Sequence, residues 1–249
     1  MSAILRKLVK ICVPIAVYVL IWQLLSMLFD SSLLLPAPKD TAAAIVSIMK
    51  TASGWLSIGA TVLRILCGFC LGCVIGVLLA VLTAKVGVLA WLLQPLRTVI
   101  KTTPITSFAL ILLIALVSDL VPVAVSAIVV VPMIWRTTEE AIIGLDPKLS
   151  EMGKVFLSPL KQLRYVSLPQ ILPQFFATAS TALGFAWKAV ITAEILSLPK
   201  KGIGNQMYLD KVYLDTADLF AWTLLVIVFS VVIESLVGLL LKKAGKKHD

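Results

Sequence analysis

TTEEAIIGLDPKLSEMGKVFLSPLKQLRYVSLP, residues Thr137–Pro169, follows Arg136 and is the one long charged interlude between segments apolar enough to span a membrane. It mixes acids and bases with three prolines, Pro147, Pro159 and Pro169. Its apolar residues recur at helical spacing, so the stretch is patterned for structure. In a membrane protein whose other loops are short, an ordered loop of this length implies a docking task.

The rest of the chain sets that loop in a bilayer. Of 249 residues, 60% are hydrophobic and 14% charged, and the mean hydropathy is +1.04. Soluble domains carry about 25% charged residues and under about 50% apolar ones. Spans are expected near 8–29, 57–83, 88–117 (broken), 120–135, 172–197 and 219–241. The fold class is therefore an all-α polytopic membrane protein of about six transmembrane helices. The first apolar run, Leu8 to Phe29, is roughly 33 Å long as a helix, which crosses hydrocarbon and exceeds a signal-peptide core. Three regions follow: 1–56, a first span with an outer interfacial helix; 57–241, the main transmembrane domain, with a cytoplasmic loop at 139–169; and 242–249, a basic tail.

The net charge of +9 is topology rather than nucleic-acid binding. Fifteen lysines and arginines fall at the two termini and in the 84–101 and 136–169 loops, against five on the other side. That bias puts both termini in the cytoplasm, with membrane lipid as the partner of the basic excess. Cys12, Cys67, Cys70 and Cys73 all fall within spans. Cys67-x-x-Cys70-x-x-Cys73 has the look of a cluster-ligand run, but it interleaves with Gly68-x-x-x-Gly72-x-x-x-Gly76, the spacing that lets two helices approach closely in lipid. Packing is the expected role, with no disulfides and no metal site. His248, in the tail, is the only histidine, and no G-x-x-x-x-G-K-[ST] occurs. Histidine triads, zinc sites and ATP binding by a P-loop on this chain are thereby set aside, and no catalytic residue is expected.

Pro36-Ala37-Pro38 should stop the first helix, and Asp40-Thr41 is placed to cap a short amphipathic helix at the interface. Arg64, near the outer end of the second span, can snorkel or line a pathway. Gln94-Pro95-Leu96-Arg97 interrupts the third span, and Lys101-Thr102-Thr103-Pro104 breaks it again. The latter either lines a watery path or starts a helix at the proline, with threonines bonding their own backbone. Asp119 is expected to cap the helix entering at Pro122. Lys188 and Glu194 lie within the fifth span six residues apart, hence on different faces, and Glu234 lies within the sixth. Either Lys188 or Glu194 faces a path, or both brace neighbouring helices, whereas Glu234 is expected to face a helix neighbour.

Within the loop, Gly144 should end one helix and Asp146-Pro147 start the next, with Leu149, Met152, Val155 and Phe156 on its apolar face. Ser158-Pro159 should begin a second short helix, with Leu160, Leu163 and Val166 on one stripe. Leu168-Pro169 and Pro173 then lead into the fifth span. Such a pair makes a rigid knob suited to a partner's groove.

These residues resemble the membrane-spanning permease subunits of binding-protein-dependent ABC importers. The family's loop reads E-A-A, three residues, G, nine residues, I-x-L-P. This chain has Glu151-Met152-Gly153, Leu157 at the glycine position, and Val166-Ser167-Leu168-Pro169 one residue early. Ser158-Pro159 is then expected to make the turn that the missing glycine would. Leu35-Pro36-Ala37-Pro38, Leu183-Gly184-Phe185-Ala186-Trp187-Lys188, Ala193-Glu194 and Lys201-Gly202-Ile203-Gly204 are similar to the sulfonate, taurine and nitrate group, and the pyrimidine-precursor transporters share the pattern.

The resemblance implies a type I importer transmembrane domain in a bacterial plasma membrane. Two permeases, a homodimer or a related pair, would work with two cytoplasmic P-loop ATPases that hold the ATP and Mg, and with an external solute-binding protein. Glu151, Met152, Gly153, Val155, Phe156, Leu157, Pro159, Leu160, Leu168 and Pro169 would carry coupling to the ATPase. Arg64, Thr102, Thr103, Pro104, Trp187, Lys188 and Glu194 are the candidate translocation path. An ATP-independent transporter or channel is the first rival, but suits a chain with an internal repeat, and none is visible. A membrane scaffold for a cytoplasmic enzyme would explain the loop but not the intramembrane charges.

Overall fold

A computed structural model of the chain describes residues 3–29 and 31–245, with side chains over 13–29 and 31–235. The basic residues Arg6, Lys7, Lys10, Lys242 and Lys243, with Cys12, lie outside the described side chains; Lys246, Lys247 and His248 lie outside the described residues altogether. The described elements run α1 (Ala3–Phe29), α2 (Pro38–Lys50), α3 (Ala52–Lys85), α4 (Gly87–Thr102), α5 (Ile105–Ala115), α6 (Val121–Ile143), α7 (Pro147–Phe156), α8 (Pro159–Gln162), a π turn (Leu163–Ser167), α9 (Leu168–Ser197), α10 (Ile203–Tyr213) and α11 (Thr216–Gly245). Every described element is helical, as membrane-spanning backbone must be when it cannot close into a barrel.

Four helices are long and apolar enough to cross a bilayer, and the α4–α5 pair, bent by 103°, makes a fifth, broken one. The expected third span is thus broken at Thr103-Pro104, because Pro104 cannot continue the α4 ladder, and not at Gln94-Pro95, since Pro95 lies inside α4. In α1 the apolar stretch among described side chains, Val13–Phe29, is shorter than the other spans.

Helices α3, α6 and α9 form the central layer. Gly68, Gly72 and Gly76 lie on the α3 face against α6: a Cβ on them would stand 2.4 Å from Ser126 Cβ, 2.6 Å from Val130 Cβ and 2.9 Å from Ile134 Cβ. No side chain fits there, so the glycine stripe sets how close the two helices come. Cys67 and Cys70 point away from this seam. Ile65, Ile134, Leu183, Ala186 and Val190 fill the core between the three helices.

Local corrections have plain causes. Helix α1 ends at Phe29, well before Pro36, and α2 starts at Pro38 rather than at Asp40-Thr41. Proline presets the first helical φ, and the Thr41 hydroxyl instead donates to the Ala37 carbonyl. The expected separate second loop helix is also absent: α8, the π turn and α9 run on as one 39-residue helix, Pro159–Ser197. Pro169 would clash with the carbonyl four residues earlier in a regular α-helix, and the π turn opens the ladder just before it.

Candidate functional site

Three places bear on function: an outer charge cluster at the end of the bundle away from the long loop, two cavities along α9, and the knob formed by that loop. In the outer cluster, Glu194 is fully buried. Its carboxylate accepts from Arg64 at 2.7 Å, from the Thr61 hydroxyl at 2.9 and 3.0 Å, and from the Gly204 N–H at 3.0 Å. Arg64 also donates to the Lys201 carbonyl and to Asp119, both at 2.6 Å. Thr61 in turn accepts from the Ile203 N–H at 2.9 Å. Each buried polar atom here is answered, as a low-dielectric site demands.

That cluster explains the Lys201-Gly202-Ile203-Gly204 run. A Cβ at Gly202 would sit 2.8 Å from the Glu194 carboxyl, and one at Gly204 would sit 2.5 Å from Glu194 Cβ. The start of α10 can close over Glu194 only without side chains. Arg64 therefore does not snorkel. Asp119 caps nothing: α6 begins after Leu120 with no side-chain cap, and Asp119 pairs with Arg64.

The face of α9 carries the open space. Lys188 is exposed and lines a cavity of about 340 Å³ with Ser180, Thr181, Gly184, Phe185 and Glu234. Thr181 also lines a second cavity, of about 380 Å³, toward the loop end of the bundle, where Lys101, Arg136, Thr137 and Thr178 stand. Thr181 thus stands in the wall of both a mid-depth cavity and a basic, hydroxyl-lined one. Trp187, adjacent in sequence, is buried in the core on the opposite side. Thr102 and Thr103 donate to the carbonyls of Thr98 and Val99, so the self-bonding alternative describes them. Glu234, Thr181, Ser180 and Arg136 were absent from the sequence-based path. The helical phase of Thr181, Gly184 and Lys188, spaced at three and four, could have pointed to Thr181, but no local signal pointed to the others.

In the knob, the Asp146 side chain caps α7 by accepting from the Lys148 N–H at 2.8 Å, and α6 ends at Gly144, both as expected. Leu157 is extended (φ −123°) and Pro159 opens the next helix, so Ser158-Pro159 makes the turn and no glycine is needed there. Gly153 is buried: its Cβ would meet Gln162 Cγ at 3.1 Å and Val166 Cγ2 at 3.2 Å. Gln162 donates to the Ser150 carbonyl at 3.2 Å, and Gln170 accepts from the Asp146 N–H at 3.0 Å. These ties leave Val155, Phe156 and Leu160 projecting, 76%, 79% and 78% exposed. Glu151, Met152 and Pro159 are exposed beside them; Leu157 and Pro169 are half-buried, and Leu168 is at the margin of exposure. At the knob's root, Arg97 pairs with the buried Glu139 and stacks over Trp135 at 5.1 Å, fixing α4 to α6.

A helical bundle with a broken span and a braced apolar knob on one end is the frame of a transport permease. The chain matches the binding-protein-dependent transport system inner membrane component family over residues 72–246, and it belongs to that family. It is 24% identical over 237 residues to SsuC of Bacillus subtilis, described as an aliphatic sulfonates transport permease, covering 93% of this chain and 84% of that one. The nitrate import permease NrtB of Leptolyngbya laminosa is 24% identical over 74% of this chain and 63% of its own. The bicarbonate transport permease CmpB of Synechocystis sp. is 28% identical over 57% of this chain and 51% of its own. The matches to NrtB and CmpB thus span less than two thirds of those proteins.

Among solved structures, an amino acid ABC transporter crystallised with histidines superposes at a TM-score of 0.55, with 17% identity over 77% of this chain and 94% of that one. The MetNI methionine ABC transporter in inward-facing conformations gives 0.56, with 18% identity over 78% and 94%. The fold is that of ABC-transporter membrane subunits, and the chain is a multi-pass membrane permease, as its composition and loop implied.

Proposed function

We propose that this permease works as one of two membrane subunits in an ATP-driven importer of a small charged solute, of the sulfonate, taurine, nitrate or pyrimidine kind. Two cytoplasmic P-loop ATPases would hold ATP and Mg and dock on the 147–167 knob, and an external solute-binding protein would deliver the solute. A second copy of this chain is the simplest other subunit. The positive-inside bias supports cytoplasmic termini and a bacterial plasma-membrane setting. The relatives' sulfonate, nitrate and bicarbonate substrates support an anionic or part-anionic solute.

The observation that carries the coupling reading is the braced tip of Val155, Phe156 and Leu160, three large apolar side chains exposed on a rigid mount. A solvated linker has no use for such a face, whereas a groove on a partner does. ATP-driven closure of the ATPases would move the knob as a rigid body, provided that its docking differs between two states. For the path, Lys188 and the two cavities that share Thr181 in their walls support a route along α9. Arg64, Trp187 and Glu194 then brace that route instead of lining it.

The test is recovery of partners from native membranes in mild detergent. A near-stoichiometric P-loop ATPase is expected, lost when residues 150–162 become a Gly/Ser stretch and when Phe156→Asp and Leu160→Asp are combined. Unchanged ATPase recovery and unchanged uptake in the double variant would sink the coupling reading.

A further inference from the structure

We propose that the mid-depth cavity between α9 and α11 is a site for a zwitterion, a small solute carrying one acidic and one basic group. This rests on Lys188 being a path residue and sharpens that reading from a charged solute to a doubly charged one.

Two opposite charges face the same space of about 340 Å³, which falls within the usual range of small-molecule sites. Lys188 comes from α9 and Glu234 from α11. Lys188 lies nine residues before the end of α9, which is roughly 14 Å along the helix, near the middle of a ~30 Å hydrocarbon core. Among the described residues, no nitrogen–oxygen contact of 4.0 Å or less joins Lys188 to Glu234 or either to any other charge. Arg64 and Glu194, the other opposite charges within the spans, are paired with each other at 2.7 Å. Charges at membrane depth that do not pair with each other face a cavity and what passes through it.

The glutamate position is built. A Cβ on Gly184 would lie 2.8 Å from Glu234 Oε1, so the glycine leaves the room that the carboxylate occupies against α9. The Ser230 hydroxyl donates to the same oxygen at 2.9 Å and sets its direction. On the other wall, Lys188 Nζ stands 5.8 Å from the Phe185 ring centroid, which favours a cation there. Ser180 and Thr181 add hydroxyls to the lining.

A simple anion entering this cavity would satisfy Lys188 and meet repulsion from Glu234. A simple cation would do the reverse. A solute with both charges answers both walls and replaces two lost hydration shells at once. Arg64, the other cation within a span, is taken up by Glu194 and Asp119, so it offers nothing to a second anionic group.

The test is calorimetric titration of the purified transporter in lipid nanodiscs without the external binding protein. The permease alone is used if no ATPase is recovered, so a failure of the importer reading is scored separately. The probes are taurine and β-alanine as zwitterions, ethanesulfonate as anion and ethylamine as cation. At least one zwitterion is expected to bind ten times more tightly than both single-charge probes. Glu234→Gln should bring that ratio to near one while Glu234→Asp restores part of it, and Lys188→Gln should weaken the zwitterion and the anion alike. Equal or tighter binding of ethanesulfonate, with Glu234→Gln neutral, would overturn the zwitterion in favour of a plain anion site. No binding by any probe in a complex that still hydrolyses ATP would overturn the site itself.

Discussion

Arg64 with Glu194 near the outer end and Lys188 with Glu234 at mid-depth are two sets of opposite charges in one bundle, and they have opposite surroundings. The outer set is closed. Glu194 receives three kinds of donor and is fully buried, and glycines at 202 and 204 let the backbone seal it. The inner set is open to a cavity, with neither member paired among the described residues. By residue type and by depth in the sequence the two sets look alike. What separates them is whether neighbouring elements bring partners, and that is a property of the packed bundle.

The contrast can be broken most directly at Glu194. Glu194→Ala leaves the Arg64 guanidinium without its buried partner and should cost about 3–5 kcal/mol, read as a large fall in unfolding temperature in detergent. A fall no larger than that of a surface variant would mean the cluster is not the brace described. Asp119→Asn removes the half-exposed partner of the same arginine and should cost about 1 kcal/mol or less, because water already screens that pair. At the open set the expectation reverses. Lys188→Gln should leave stability within about 0.5 kcal/mol while ATP-driven uptake falls sharply. Gly184→Ala should likewise be tolerated in folding, since the clash falls on the far end of the Glu234 side chain rather than on backbone, yet should weaken uptake by displacing that carboxylate.

A last and smallest effect sits outside the membrane spans, on α10. Burial, then the charges of Asp218 and Asp215, push the Asp210 carboxyl up from 3.8 to about 7. The folded protein therefore holds that proton more tightly than the unfolded chain does. The resulting stability is whole below the unfolded value and is lost as pH rises through about 7. Asp210→Asn should flatten the unfolding temperature across that window, with its gain at the alkaline end; an unchanged slope would show that Asp210 does not titrate there.

Much of the architecture could be read from residues alone because bilayers impose strong rules. Apolar length, the charge bias and the prolines at 104, 147 and 159 placed the broken span, the α7 start and the knob turn. The stripe Gly68, Gly72 and Gly76 declared a close helix contact, though not that α6 would be its partner. What escaped were pairings across distance. Arg64 and Glu194 are 130 residues apart, and Asp119 lies 55 from Arg64, so no local pattern could show that one arginine binds both. Sequence phase put Lys188 and Glu194 on different faces, which holds, but it could not tell which face was sealed. The π turn before Pro169 also escaped, since two prolines read more simply as a break than as a helix that bends its ladder and continues.

That unbroken helix, Pro159–Ser197, has a mechanical consequence. Its 39 residues make a rod of roughly 58 Å. One end is part of the knob, Lys188 rides three quarters of the way along, and Glu194 anchors the far end to α3 and α10. Pivoting such a rod by about 10° about its centre carries each tip through roughly 5 Å in opposite directions. If the rod moves as one body, a push of a few ångströms on the knob tip arrives at its opposite end with the sign reversed. The π turn, Leu163–Ser167, lies between the knob and the spanning part of that rod, so any bend there would shorten the stroke at the far end.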